Sequence, residues 1–264
     1  MCPMNSPTWR MPEAFPALAA DAVHVWRIPL AVSDSEQGRR AAVLSSDERA
    51  RAARLHFERD RRRWIATRGA VRALLASYTG VPALSLRFQL GPHGKPSLEA
   101  PGGTGLEFNV SHSGELALCA VSFGRAVGVD VEAIRPEFAT ASIASRFFAP
   151  AERAAFEALP RNEQTEAFFA CWSRKEAYMK ARGTGIALGL DRFEVSLTPG
   201  RPAALLATHD EPDAVERWQL AALAPGVGYA GALVTDGPAQ VECWDWVSSE
   251  MACEADPAVQ DSTA

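Results

Sequence analysis

The sequence predicts an α+β fold of two pseudo-twofold-related halves, residues 1–124 and 125–264, each a small antiparallel sheet packed with helices. Three observations lead there. The halves can be laid over each other with an offset of about 104 residues. Helix-like apolar spacing and short alternating runs recur in the same order in each half. The 264-residue chain is 47% apolar, enough to bury a sizeable core in one large domain or two small ones.

The elements follow in order. "VHVWRIPL" (23–30) aligns with "VGVDVEAI" (127–134), both with strand alternation. "SSDERA" (45–50) aligns with "APAERA" (149–154), and Ser45 with Glu48 has the form of a capping box at a helix start. Next, "RGAVRALLASYTGVPALSLRFQLGPHGKPSL" (68–98) runs parallel to "SRKEAYMKARGTGIALGLDRFEVSLTPGRPAAL" (173–205). The points of register are Gly80 with Gly185, Arg87-Phe88 with Arg192-Phe193, and Gly94-Lys95-Pro96 with Gly200-Arg201-Pro202. Finally "ELALCAVS" (115–122) matches "GYAGALVT" (228–235), and the Gly/Pro turns between late strands predict antiparallel hairpins. Clefts between such halves favour ligands, so the seam near residue 125 is the expected site.

Composition narrows the class. Five scattered cysteines without CxxC spacing argue against a disulfide framework and against a zinc site, and fit a reducing cytoplasm. The N-terminal region lacks a basic segment followed by an apolar run, and no stretch approaches the roughly 18 apolar residues needed to span a bilayer, so the expectation is a cytoplasmic protein, neither exported nor embedded. Residues 250–264 are small and acidic and read as a disordered tail. The net charge of −5 divides into +4 over residues 1–124 and −9 over 125–264, an asymmetry that suits a polyanion held partly through a cation. Of 27 basic residues only Lys95, Lys175 and Lys180 are lysine, which marks them as candidates for phosphate contact.

The chemistry concentrates in three stretches. In "FFACWSRKEAYMKARGTG" (168–185), Phe168, Trp172, Glu176 and Lys180 lie along one side of a helix, so an apolar stripe turns charged. Two readings stay open: an ordinary surface pair at i,i+4, or a helix end lining a site. In "AVGVDVEAI", Asp130 and Glu132 project from one strand face, either as its wet side or as two oxygen ligands for Mg²⁺, with Glu176 as a third. Without a histidine pair at ligand spacing, a hard oxygen-bound cation suits the sequence better than zinc. "FNVSHSGELALCAVS" (108–122) reads as strand, polar turn and strand, with His112 in the turn; His112 and Ser111 are either solvated or donors to phosphate oxygens. Residues 49–72 hold nine arginines, the solvated face of a helix in the plain reading, although Arg68 shares a stripe with Trp64, Val71 and Leu75.

The order and spacing of "GKP", "FNVSHS", "GVDVE", "RFF…E" and "WSRKEAYMKARGTG" resemble the 4′-phosphopantetheinyl transferases of the surfactin-synthetase-activating (Sfp) type over roughly residues 22 to 235. The resemblance implies a pseudo-twofold α+β architecture and transfer of the 4′-phosphopantetheine arm of coenzyme A to a serine of an apo acyl or peptidyl carrier protein, releasing 3′,5′-ADP. It implies a divalent cation, Mg²⁺ with Mn²⁺ as a substitute, on Asp130, Glu132 and Glu176. It implies contacts to coenzyme A from Arg63, His112, Lys180, Lys95 and Pro96, with Ser111 beside them and Arg51 at a position often held by lysine. Glu176 and Lys180 take the catalytic roles, the first as the acceptor of the serine proton directly or through water, the second as the partner of the phosphates. The protein is further expected to be a monomer serving secondary metabolism, with no nucleic-acid or membrane partner; Ile143, Phe147 and Phe148 are candidates for touching the carrier. The alternatives are a non-catalytic coenzyme A or nucleotide binder and a nucleic-acid binder built on residues 49–72, the latter disfavoured by the acidic excess.

Overall fold

The computed structural model describes residues 7–99, 105–185 and 189–247. The first half runs β1 (Trp9–Arg10), β2 (Ala22–Pro29), α1 (Asp34–Ala42), α2 (Ser46–Ala53), α3 (Glu58–Thr79), β3 (Phe88–Leu90), β4 (Pro96–Leu98), β5 (Leu106–Ser113) and β6 (Leu116–Phe123). The second repeats that order as β7 (Val127–Ala133), α4 (Ala141–Phe147), α5 (Pro150–Glu157), α6 (Arg161–Arg182), β8 (Phe193–Val195), β9 (Leu205–Thr208), the short α7 (Ala214–Arg217), β10 (Trp218–Leu223) and β11 (Tyr229–Asp236). One more strand, β12 (Gln240–Asp245), follows.

The repeat is carried by matching local chemistry. Ser45 caps α2 in a full capping box with Glu48, as the sequence predicts. Glu152 caps the matching helix α5 by accepting the backbone N–H of Ala149 at 2.8 Å. α3 and α6 each span 22 residues. Each ends on a left-handed glycine, Gly80 at φ 67° and Gly183 at φ 65°. Left-handed backbone costs a side chain roughly 1–2 kcal/mol, which explains glycine at both helix ends. The register point to Gly80 is therefore Gly183 and not Gly185, because the helix cap fixes the correspondence.

A second correspondence lies in the interior. Glu48 of α2 accepts from Arg72 of α3 at 2.6 Å, and Arg72 also donates to the backbone of Leu86 at 3.2 Å. In the second half Glu152 pairs with Lys175 at 2.7 Å, and Lys175 donates to the carbonyls of Leu190 and Phe193, both at 2.6 Å. Phe88 and Phe193 each lie under the respective cation. A charge this deep is tolerated only when its hydrogen bonds are satisfied, and here all of these are protein groups. Lys175 is thus removed from the phosphate candidates: it is 0% exposed.

Strand order in the larger sheet is β1-β12-β2-β6-β5, and in the smaller β10-β11-β7; β3-β4 and β8-β9 form separate hairpins. The expectation of wholly antiparallel sheets fails at one place. β12 pairs with β2, and β1 with β12, both parallel. So the larger sheet is mixed, and residues 240–245, assigned by sequence to the second half, complete the sheet of the first. β12 has a reason to dock there: Trp244 packs on Trp26, and Asp245 accepts two hydrogen bonds from Arg27 at 2.6 and 2.9 Å.

Three apolar clusters order the layers. Trp26, Ile28 and Cys119 of the larger sheet pack with Ala66, Val71 and Leu74 of α3. The opposite face of that sheet, Val23, Val25 and Leu118, meets Val127, Val129, Val131 and Leu233 of the smaller one. Beyond it, Ala232 and Val234 pack with Phe168, Ala177 and Tyr178 of α6. The layers run α3, larger sheet, smaller sheet, α6. Each half leaves a sheet face that only the other covers, the arrangement expected when two apolar sheet faces must be hidden from water. Cys119, Cys171 and Cys243 are buried and unpaired, as the composition predicts, while Cys2, Cys253 and the acidic segment 250–264 lie outside the described residues. Among the described residues no helix is long and apolar enough to cross a membrane.

Candidate active site at the seam

Two edge strands, β5 and β7, meet along the seam, and α6 crosses over β7. The crossing is close because Gly128 has no side chain. A Cβ there would lie 2.1 Å from the carbonyl oxygen of Ala177 and 2.3 Å from the nitrogen of Ala181. This approach brings the last turns of α6 onto the Asp130 face of β7.

The stripe on α6 turns charged where it reaches that face. Lys180 Nζ lies 2.6 Å from Asp130 Oδ1 and 2.8 Å from Ser111 Oγ, and Ser111 donates to the same Asp130 oxygen at 2.8 Å. Asp130 is 2% exposed, and its second oxygen, Oδ2, is buried with no hydrogen-bond partner. Ser113 donates to Glu132 at 2.9 Å. The three carboxyl groups disfavour ionisation. Burial raises the pKa of Asp130 against the pull of Lys180. Burial, then the charge of Asp130, pushes Glu132 up to about 7, and the same two causes raise Glu176. Carboxyl groups that raise one another's pKa in this way are what a bound cation would relieve.

The donor chemistry fits a hard divalent ion: oxygen ligands only, one of them unsatisfied. Among the described residues, however, no three His, Cys, Asp or Glu side chains converge into a metal-binding cluster, and Lys180 lies against Asp130 where a cation would compete.

Other candidates distribute around this centre. His112 lies in β5 and not in the turn, which is formed by Gly114 and Glu115 after the strand; β5–β6 pairing continues through Ser113 opposite Leu116. The His112 side chain reaches solvent on the α3 side, yet the surrounding protein and then Lys180 and Arg63 hold its pKa below the usual imidazole range. Arg63 of α3 pairs with Glu115. Arg51 is exposed over the ring of Trp64 at 5.9 Å and makes no contact with the carboxylates. Lys95, in the turn before Pro96, reaches across the seam and donates to the carbonyls of Val127 at 3.0 Å and Ala181 at 3.4 Å. It holds the last turn of α6, where a cation is favoured by the helix dipole. Arg68 is committed to Glu48 and stacks on Phe88 at 3.8 Å.

Three groups escaped the sequence reading: Asn109, Ser113 and Glu115. Asn109 Oδ1 accepts from Val129 N at 2.9 Å, and Ser113 Oγ accepts from Ala133 N at 3.0 Å. The signal was the spacing Asn109-x-Ser111-x-Ser113, three polar side chains on one strand face. Glu115, the partner of Arg63, carried no local signal. The pseudo-twofold copy of the site is empty of this chemistry: by register Asp130, Glu132 and Glu176 fall on Trp26, Ile28 and Ala73.

Comparison with known proteins places the chain in a family. The model of the 4′-phosphopantetheinyl transferase superfamily matches residues 126–234, and that of the 4′-phosphopantetheinyl transferase N-terminal region matches 32–123. The 4′-phosphopantetheinyl transferase HetI of Nostoc sp. is 41% identical over 231 residues, spanning 87% of this chain and 94% of that protein. A 4′-phosphopantetheinyl transferase of Bacillus subtilis is 32% identical over 200 residues, 73% of this chain and 87% of its own. The Sfp transferase of Bacillus subtilis is 31% identical over 166 residues, 63% of this chain and 72% of its own. The chain belongs to the 4′-phosphopantetheinyl transferase superfamily and is related to its Sfp-type members. It is an enzyme of the phosphopantetheinyl transferase class.

Proposed function

We propose that this enzyme transfers the 4′-phosphopantetheine arm of coenzyme A to a serine hydroxyl of an apo acyl or peptidyl carrier protein, releasing 3′,5′-ADP. One observation carries the reading: Lys180, Ser111 and Asp130 form a closed hydrogen-bonded triangle beside Glu132 and Glu176, with Asp130 Oδ2 left unpartnered. Asp130, Glu132 and Glu176 would hold the divalent cation, Mg²⁺ with Mn²⁺ as substitute, which when bound neutralises charge on the pyrophosphate as its P–O bond breaks. Lys180 and Arg63 exchange their carboxylate partners for phosphate oxygens, His112 and Arg51 add donors, and Ser111 stands beside them between Lys180 and Asp130. Lys95 with Pro96 borders the nucleotide. Glu176 takes the proton as the serine oxygen attacks the phosphorus bearing the pantetheine arm, directly or through one water. The basic first half receives the nucleotide phosphates and the acidic second half holds the cation; the monomeric, cytoplasmic protein serves carriers of secondary metabolism.

The test is incubation with a panel of apo-carrier proteins, coenzyme A and Mg²⁺, read by intact mass and by 3′,5′-ADP release. Added phosphopantetheine with stoichiometric 3′,5′-ADP supports the reading. Tight coenzyme A binding without either product across the panel would replace it with the non-catalytic binder.

A further inference from the structure

β5 and β7 approach without backbone hydrogen bonds between them; β5 pairs only with β6, and β7 only with β11. Side chains bridge the gap instead. Asn109 accepts the Val129 N–H, Ser111 donates to Asp130, and Ser113 accepts the Ala133 N–H while donating to Glu132. A serine hydroxyl has one proton. Because Ser113 Oγ already accepts from Ala133, that proton is directed to Glu132 Oε2, and one hydroxyl fixes both the backbone and the carboxylate of the opposite strand. Ser111 acts alike one step earlier, accepting from Lys180 and donating to Asp130 Oδ1.

We infer that Ser113 is a positioning residue: through its bond to Glu132 it sets that carboxylate's orientation for the divalent cation, and Asn109 supports it by fixing the register of β7. Groups that orient a metal's ligands typically contribute about 10–100-fold in metal affinity or activity. This inference rests on the cation reading above, so the experiment separates the two.

Mn²⁺ binding to the full-length enzyme without coenzyme A is measured by electron paramagnetic resonance. The variants are Asp130→Asn, Ser113→Ala and Ser113→Thr, with folding followed by thermal unfolding. Wild type is expected to bind one ion and Asp130→Asn to lose it. Ser113→Ala should bind about tenfold more weakly, Ser113→Thr near normally, and metal-free coenzyme A affinity should stay unchanged in both Ser113 variants. Wild-type Mn²⁺ affinity in Ser113→Ala, with Asp130→Asn still defective, would overturn the role of Ser113 and leave the cation reading standing. Absence of Mn²⁺ binding in wild type would overturn both. If Ser113→Ala does not fold, Ser113→Cys, whose thiol is a weak donor, takes its place with the same expected tenfold loss.

Discussion

Lys180 and Glu176 stand one turn apart on α6 but face different work, and their variants should separate by kinetics. Glu176→Gln keeps shape and removes the charge, so its loss is expected mainly in kcat. Lys180→Ala removes the proposed partner of phosphates charged throughout the reaction, so both kcat and the KM for coenzyme A should suffer. Steady-state kinetics on one apo-carrier checks this; normal turnover in Glu176→Gln would return that side chain to plain helix surface. Glu132 adds a pH signature. Its pKa rises from an ordinary 4.5 to about 7. Below about 4.5 both folded and unfolded chains hold its proton; between there and about 7 the unfolded chain ionises first, so stability falls as pH rises, and above that the full penalty remains. Metal-free wild type should therefore lose more Tm than Glu132→Gln between pH 5 and pH 8, and Mg²⁺ should restore wild type selectively at pH 8.

At the scale of elements, the contact of α6 with β7 depends on one missing Cβ. Gly128→Ala would force backbone against backbone, since Ala177 and Ala181 contribute main-chain atoms at the contact. The expected cost reaches the upper end of about 1–3 kcal/mol, with Lys180 displaced from Asp130 and activity lost with it. Chemical denaturation together with a transfer assay reports both. The anchor of α6 to α5 makes a second case. Removing one member of the Glu152–Lys175 pair leaves a buried charge alone, so Lys175→Ala should cost about 3–5 kcal/mol. The double replacement Glu152→Leu with Lys175→Met should be far milder than the single losses added together, which a double-mutant cycle by urea unfolding measures.

The whole molecule is closed by a strand that comes last in sequence. β12 covers the edge of β2 and brings Trp244 and Trp246 onto Trp26. A chain ending after Gly237 would expose that edge and the ring of Trp26, and unpaired apolar edges associate. Such a truncation should lose cooperative thermal unfolding and aggregate, although all residues proposed to act in transfer lie before Gly237. Calorimetry and light scattering test it; a monomeric, cooperatively folding product would show that the two halves hold without the strand.

The sequence by itself determined whatever has a short period. The capping box of Ser45 with Glu48, the alternation of Val127, Val129 and Val131, the carboxylates Asp130 and Glu132 interleaved with and following them, and the i,i+4 placement of Glu176 and Lys180 are local facts, fixed by the pitch of a helix or the pleat of a strand. The repeat offset was legible for the same reason, since each half writes the same local patterns in the same order. Tertiary structure alone decided which charged residue went where. Lys175 and Lys180 occupy one helix, yet Lys175 enters the core against Glu152 while Lys180 meets Asp130. Arg63 finds Glu115, Ser113 finds Glu132, and β12 returns to β2 across two hundred residues of chain. Such pairings join positions far apart in sequence, so no local spacing records them. They follow from the closure of two apolar sheet faces against each other, which sets the seam and thereby chooses the partners.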